Sequence, residues 1–254
     1  MKVLATYNIK GGVGKTATAV NLAYEAASRG NRVLVWDIDP QGAATFYFRI
    51  RPKVKGGGKA LVSGRRDLDE VIKASDYDNL DVVPADFSMR NLDLLLEGSK
   101  KPLATLRRVL RSVEDDYDLV FLDCPPSISL ASESVFRAAD ALLVPVIPTT
   151  LSIRTFEQLD RFVEENPEVV KDLDVIGFFS MVDRRKRLHR ELLVELRQVR
   201  PDLLDELIPA VTDIERMGVH RQPVAAFSPG SRAARSYAAL WDEINDRLRP
   251  SRSA

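Results

Sequence analysis

The sequence predicts an α/β fold in which a mostly parallel, twisted sheet carries helices on both faces. Three observations support this prediction. The chain has 254 residues, a length that α/β folds often use for one domain. Hydrophobic residues make up 45% of it, which is enough for a sizeable core. Nearly continuous apolar runs alternate with helical patterns along the chain, which is typical of parallel strands buried on both faces.

The predicted strands are the short apolar runs of this alternation. The first, at 2–7, leads directly into a glycine-rich stretch. The others lie at 32–36, 80–84, 117–122, 141–146, 174–179 and 206–208. Because ligands of such sheets bind beyond the carboxyl ends of the strands, we expect the functional residues at those ends.

Apolar residues at helical spacing predict helices between the strands. The first is 17–27, which Gly30 ends. The others lie at 68–74, 89–96, 103–113, 129–138, 153–165, 189–199 and 233–248. A glycine-rich, positively charged segment at 51–66 interrupts the alternation, and we expect a mobile surface loop there because the alternation resumes on both sides. We therefore predict one domain over 1–250 and a short polar tail over 251–254.

The stretch between the first strand and the first helix has the composition of a phosphate-binding loop. It reads Asn8-Ile9-Lys10-Gly11-Gly12-Val13-Gly14-Lys15-Thr16. Glycines tolerate unusual backbone dihedral angles and let N–H groups approach an anion closely. Lys15 would then reach the terminal phosphates, and Thr16 would place its hydroxyl on Mg²⁺. The usual pattern G-x-x-x-x-G-K-[ST] is not matched literally, because Ile9 replaces its first glycine.

Composition narrows the class of protein. Lysine plus arginine equals aspartate plus glutamate, 37 each, so nucleic-acid binding can be argued only from a local patch. The single cysteine, Cys124, excludes an internal disulfide and fits a reducing cytosol. His189 and His220 lack metal-ligand spacing and are expected at the surface. With no apolar run of membrane-spanning length and no room for a signal peptide, we expect a soluble, intracellular protein.

The run K-G-G-V-G-K-T at 10–16 resembles the deviant Walker A loop of the ParA/MinD family. These ATPases partition plasmids and chromosomes or position cell-division and other cargo. The resemblance extends from Lys2 to about Leu248 and implies a P-loop NTPase fold with ATP and Mg²⁺ as cofactors. It implies nucleotide contacts from Gly11, Gly12, Val13, Gly14, Lys15, Thr16, Ala17, Met181, Asp183 and Pro209.

Acidic residues follow two of the predicted strands. Asp37 and Asp39 occupy alternate positions in D-I-D-P-Q-G, where carboxylates can serve a metal or orient a water, or can form a turn before the proline. The segment is similar to the family's D-x-D-P-Q-G, which implies that Asp39 positions the attacking water and lies at the metal. Asp123 ends an apolar strand in the Walker B arrangement and would hold Mg²⁺, together with Thr16, through water.

The leading lysine of the loop, Lys10, has a separate implied role. In the family this lysine reaches across an ATP-sandwiched homodimer to the partner subunit's nucleotide. A cation there would stabilise the charge of the transferring phosphoryl group, as an arginine finger does. Catalysis would then rest on Lys10, Lys15 and Asp39 and would require the dimer. The alternative is a solvated loop lysine.

The densest positive patch of the chain, at 184–190, follows a segment that resembles the family's L-L-T-M-x-D. The resemblance implies a sequence-independent DNA contact at Arg185, and Arg187 lies in the same patch. Such phosphate contacts weaken with salt, whereas the alternative is a solvated helix start. Asp213 stands where relatives often carry a second DNA-binding arginine. The remaining candidates for a basic surface are Arg216, Arg232 and Arg235.

The resemblance implies an ATPase that dimerises with ATP, binds nucleoid DNA non-specifically and partitions or positions a plasmid, a chromosome or a protein assembly such as carboxysomes. A ParB-like or cargo-adaptor protein would stimulate hydrolysis, and the protein would be cytoplasmic and nucleoid-associated, without stable membrane anchoring. One alternative is a MinD-like membrane-cycling ATPase, although the C-terminal helix lacks the apolar face of that anchor. Another is a metallochaperone or reductase ATPase, in which one cysteine per subunit could bridge a dimer.

Overall fold

A computed structural model describes residues 1–170 and 172–249 of the chain. The strands in these residues are β1 (Lys2–Thr6), β2 (Val33–Asp37), β3 (Lys73–Ala74), β4 (Leu80–Val83), β5 (Leu119–Asp123), β6 (Ala141–Val146), β7 (Asp174–Val182) and β8 (Leu207–Pro209). They form one sheet in the order β3-β4-β2-β5-β1-β6-β7-β8. Every pairing is parallel except that of β3 with β4. The predicted mostly parallel sheet is confirmed.

The helices lie on both faces of this sheet, as predicted. They are α1 (Lys15–Ser28), α2 (Ala43–Tyr47), α3 (Gly57–Val62), α4 (Leu92–Glu97), α5 (Thr105–Leu110), α6 (Leu130–Ala138), α7 (Thr150–Glu165), α8 (Arg187–Val199), α9 (Thr212–Glu215), α10 (Met217–His220), α11 (Val224–Phe227) and α12 (Arg232–Leu248). Short 3₁₀ helices lie at Asp69–Val71, Phe87–Asn91, Pro102–Ala104 and Arg111–Val113.

Alternate residues of the central strands supply two separate apolar cores. On β1, Val3 and Ala5 pack into the core beneath α3 to α8, whereas Leu4 packs into the core beneath α1 and α12. On β5, Val120 and Phe121 divide in the same way. Because successive side chains of a strand point to opposite faces, this division explains why the central strands are apolar throughout.

The helix predicted at 68–74 is wrong. Only Asp69–Val71 is helical there, as a single 3₁₀ turn, and Lys73 and Ala74 form β3. Pairing with β4, in which Lys73 lies opposite Val82, gives these residues an extended conformation. The hydrogen bonds of the sheet edge therefore outweigh the local helical spacing.

The mobile loop predicted at 51–66 is also wrong, because it contains α3 and contributes to the core. Val54, Leu61 and Val62 are buried. A Cβ atom on Gly58 would lie 2.3 Å from Sδ of Met89, so glycine here permits close packing of α3 against the following segment. The glycines that suggested a flexible loop instead allow neighbouring segments to pack closely.

Two further expectations need adjustment. The helices predicted at 89–96 and 103–113 are each shortened by 3₁₀ turns, and the short helices α2, α9, α10 and α11 are missing from the prediction. Helices of four or five residues are too short to show a helical period in the sequence. The predicted polar tail at 251–254 lies outside the described residues.

We expect Gly177→Ala to destabilise the fold. A Cβ atom there would lie 2.5 Å from Cδ2 of Leu203 and 2.6 Å from Cζ of Phe156, and such overpacking typically lowers the free energy of unfolding by about 2 kcal/mol. Denaturant titration measures the change. Gly218→Ala is the matched control, because no atom lies within 4 Å of its added Cβ. Equal stability of the two variants would contradict the close packing of β7 against Leu203 and Phe156.

Candidate active site

The phosphate loop is fastened to the sheet and closed by glycines with positive φ. The Asn8 side chain donates to the Pro145 carbonyl at 2.9 Å and accepts from the Lys10 N–H at 2.9 Å. Gly12 has φ +70° and Gly14 has φ +96°, which only glycine adopts readily. Gly14 is the N-cap of α1, so the loop presents the N-terminus of that helix to the cleft, an arrangement that attracts phosphate.

Lys15 is a buried cation at the floor of this cleft. It is 7% exposed, and its Nζ donates to the Lys10 carbonyl at 3.2 Å. Burial lowers its pKa, an effect that the nearby Asp123 carboxylate opposes. The ammonium group is therefore incompletely compensated, and a phosphate oxygen would supply the negative partner that it lacks.

Two buried acidic side chains lie side by side near the loop because of strand register. Asp37 and Asp123 are paired positions on β2 and β5, and Thr6 of β1 pairs with Asp123 on its other side. Burial raises the pKa of Asp37 to about 6. Burial, and next the neighbouring Asp37, raise the pKa of Asp123 well above its ordinary value. Asp39 lines the open cleft two residues beyond Asp37.

These carboxylates fit a divalent cation. Within the described residues, Oδ1 of Asp37 and Oδ2 of Asp123 are buried without a hydrogen-bond partner, a costly state that a cation or its water ligands would relieve. The same residues contain no cluster of three or more His, Cys, Asp or Glu side chains that could form a metal cage. Mg²⁺ suits such a site, because it usually keeps waters and substrate phosphates as ligands.

Asp37 is a site residue that the sequence analysis named only as one of two carboxylates that can serve a metal or orient a water. Its Oδ2 accepts from both the N–H and the hydroxyl of Thr45, at 2.8 and 2.7 Å, and the Thr45 hydroxyl accepts from the Ala85 N–H. Asp37 thereby anchors α2, which follows the Asp39 loop. The available signal was its position as the last residue of a fully apolar strand.

The cleft has a volume of about 410 Å³ and brings together residues from distant parts of the chain. Of the predicted residues, Gly11, Gly12, Gly14, Lys15, Thr16, Ala17, Asp39 and Met181 line it. Val13 is buried in the loop. Ile208 lines the cleft in place of the neighbouring Pro209, and Tyr47 and Tyr237 are lining residues that the sequence analysis missed.

Asp183 and Lys10 lie outside the lining of this cleft. The Asp183 carboxylate binds the Arg185 guanidinium, with Nε 3.0 Å from Oδ1, and this hydrogen bond holds the pKa of Asp183 at about 2. The Asp183 N–H donates to Nδ1 of His189. His189 is 5% exposed, so its expected surface position is wrong: it packs behind this turn and orients it.

Comparison with known proteins agrees with the geometry. A family model described as an AAA domain matches residues 1–174. The sporulation initiation inhibitor protein Soj of Bacillus subtilis is 32% identical over 249 residues, covering 96% of this chain and 98% of Soj. The chain belongs to the ParA/MinD family of ATPases. The chromosome partitioning protein ParA of Caulobacter vibrioides is 29% identical over 259 residues, covering 98% of this chain and 96% of that protein.

A solved structure with a bound nucleotide resembles this ParA/MinD-family chain. Cobyrinic acid a,c-diamide synthase from Mycobacterium smegmatis, with a bound ATP analog and magnesium, superimposes with a TM-score of 0.82 at 25% identity, covering 97% of this chain and 95% of that one. The bound nucleotide and magnesium of that structure agree with the phosphate loop and the carboxylates found in this chain. Thr16, Asp39 and Asp123 are the residues that would hold the metal, which would neutralise phosphate charge.

Proposed function

We propose that this ParA-type ATPase is a nucleotide-driven switch that binds DNA as an ATP-sandwiched homodimer and leaves it after hydrolysis. The nucleotide cleft is the observation that carries the proposal, because it combines a glycine cradle, a buried lysine and under-satisfied carboxylates. Lys15 would bind the terminal phosphates, and Asp39 would orient the attacking water. The similarity to Soj and ParA supports a role in partition or positioning of a cargo.

The position of Lys10 supports the dimer. Its backbone is held by Asn8 and Lys15, but its side chain has no hydrogen bond or ion pair within the described residues. It also lies outside the lining of its own nucleotide cleft. A cation at the head of the phosphate loop that points to no partner among the described residues of its own chain is suited to contact the nucleotide of a second copy. Hydrolysis would then depend on dimer formation.

The proposed DNA contacts are exposed. Arg185, Arg187, Arg216, Arg232 and Arg235 all face solvent. Two of them form ion pairs within the chain, because Arg185 binds Asp183 and Arg187 binds Glu191 at 2.6 Å, and Arg235 donates to the Gly230 carbonyl. Exposed ion pairs of this kind are weak, so the phosphates of DNA can compete for both guanidinium groups.

Retention assays test the proposal and its alternative. With ATP and Mg²⁺, the protein should be retained on non-specific duplex DNA, less so as salt rises, and released after hydrolysis. Anionic phospholipid vesicles are the comparison surface. No helix among the described residues is long and apolar enough to cross a bilayer. ATP-dependent retention on vesicles instead of DNA would replace the proposal with a MinD-like membrane cycle.

We expect Arg185→Ala/Arg187→Ala to weaken retention on DNA. Each lost phosphate contact should lower the slope of log affinity against log salt by about 1, while ATP binding remains unchanged because both side chains lie outside the cleft. Arg154→Ala/Arg161→Ala is the matched control, since both arginines are exposed on α7. An equal loss in the control pair would place the DNA contacts elsewhere.

The activating partner completes the proposed cycle. A ParB-like or cargo-adaptor protein would accelerate hydrolysis in the dimer and so set the time that the protein spends on the nucleoid. This places the protein in the cytoplasm, associated with the nucleoid. A candidate partner should raise phosphate release from the DNA-bound dimer and leave that of the Lys10→Ala variant unchanged.

A further inference from the structure

A second and larger depression lies among α3, α4 and α5, and it shares no lining residue with the nucleotide cleft. Its volume is about 1020 Å³. We call it the basic cleft, after the six cationic side chains in its lining: Lys59, Lys100, Lys101, Arg107, Arg108 and Arg111.

Cations are the only charged side chains in the described lining of the basic cleft, although Arg107 and Arg111 also line a neighbouring depression together with Glu114, Asp115 and Asp140. No aspartate or glutamate belongs to its described lining, and none of its six cations forms an ion pair within residues 1–170 and 172–249. Arg108 donates to the Val62 carbonyl and joins α5 to α3. In a chain with zero formal net charge, a concave surface lined by one sign of charge attracts an anionic partner.

Part of the lining of the basic cleft is apolar. Val62, Leu94, Leu95 and Ala104 contribute to it. Leu94 is 66% exposed although it lies on a helix that packs against the core through Leu92 and Leu96. Contacts to a nucleic-acid backbone come from charged and polar groups, and they would leave these apolar side chains without a partner. A lining that combines apolar and cationic side chains instead fits a ligand that is both apolar and acidic.

The walls of the cleft are preformed. The Gly58 N–H donates to Oγ of Ser88 at 2.7 Å, and the Val54 N–H donates to the Asp86 carboxylate at 3.0 Å. Together with the packing of Gly58 against Met89, these contacts fix α3 against the segment that leads into α4. The α3 side of the cleft is therefore held in place before a ligand binds, which reduces the entropic cost of binding.

We infer that the basic cleft binds an acidic amphipathic helix of a partner protein. Apolar residues at i, i+3, i+4 and i+7 of that helix would lie on Leu94, Leu95 and Ala104. Its glutamates and aspartates would face the lysines and arginines of the cleft. This site is independent of the proposed DNA surface, which uses α8 and α12 and the segment around Arg216.

Fluorescence anisotropy with designed peptides tests the inference on the full chain. The probe is a labelled amphipathic peptide of about five helical turns with leucines on one face and glutamates on the other. One control peptide has lysine in place of every glutamate, and another has serine in place of every leucine. We expect only the leucine–glutamate peptide to bind.

Variants locate the binding. Lys101→Glu/Arg107→Glu should weaken binding of the leucine–glutamate peptide by about tenfold or more, and so should Leu94→Ser. Neither change disturbs a side-chain hydrogen bond described within the chain. Lys73→Glu/Arg161→Glu, at exposed positions outside the cleft, should bind as the unaltered protein does. Circular dichroism confirms that the variants fold.

The outcomes separate this inference from the proposed function. Lys101→Glu/Arg107→Glu should keep ATP-dependent retention on duplex DNA. If this variant loses DNA retention and the unaltered chain ignores the peptide, the cleft is a nucleic-acid surface and the inference fails. It also fails if the serine peptide binds as tightly as the leucine peptide, or if the control pair weakens binding equally.

Discussion

Replacing Lys15 with glutamine is expected to abolish ATP binding while the fold persists. The lysine Nζ is buried at the floor of the nucleotide cleft and has one carbonyl partner. Glutamine removes the positive charge that would meet the terminal phosphates, so we expect affinity to fall by at least a hundredfold, or about 3 kcal/mol. Isothermal titration calorimetry with a non-hydrolysable ATP analogue measures this loss.

The same substitution, Lys15→Gln, should not destabilise the nucleotide-free protein, although it weakens ATP binding. Because burial lowers the pKa of Lys15, the native structure without nucleotide bears the cost of a desolvated cation. A neutral glutamine avoids this cost, so the melting temperature without nucleotide should not fall. Lys10→Gln makes the same chemical change in the same loop and should keep ATP binding. If the two variants bound ATP with affinities within a few-fold of each other, Lys15 would not be a phosphate-binding residue.

Asp39→Ala should separate nucleotide binding from hydrolysis. Asp39 lines the cleft but is less buried than Asp37 and Asp123, a position suited to contact with a water molecule. We expect turnover to fall by about a hundredfold or more, as for loss of a group that positions or deprotonates the nucleophile, while ATP still binds. The dimer should then accumulate, because hydrolysis is the step that would dissolve it.

Light scattering coupled to size exclusion, with ATP and Mg²⁺ present, measures that dimer, and phosphate release measures turnover. Gln41→Ala is the control within the same turn, because the Gln41 N–H donates to Asp39 but its exposed side chain does not line the cleft. It should hydrolyse ATP at close to the normal rate. If purified Asp39→Ala protein stays monomeric with ATP bound, the proposed nucleotide-driven dimerisation switch is wrong.

The sequence predicted correctly those parts of the structure that depend on the residue pattern of a short segment. The central strands are apolar along their whole length because both faces are buried, and this signal is independent of their neighbours. The phosphate loop was recognisable because a strand, a glycine-rich turn and a helix follow one another without a break. Both features lie within short windows of the chain.

The parts that were missed depend on contacts between distant residues. The role of Asp37 follows from its register with Asp123, about ninety positions away in the chain. The helix α3 forms because Met89 and Ser88 cover its glycines. The turn at Asp183 is set by a buried histidine on the following helix. No local pattern encodes these pairings, and none indicates that the Asp183 carboxylate contacts Arg185.

The two edges of the sheet constrain how copies of this chain can join. One edge is β3, two exposed residues that include a lysine, and the other is β8, three residues that end in a proline without an N–H group. Short edges of this composition resist strand addition. Growth into continuous intermolecular sheets is therefore disfavoured, and assembly must proceed through side chains and loops, which a nucleotide can order and release.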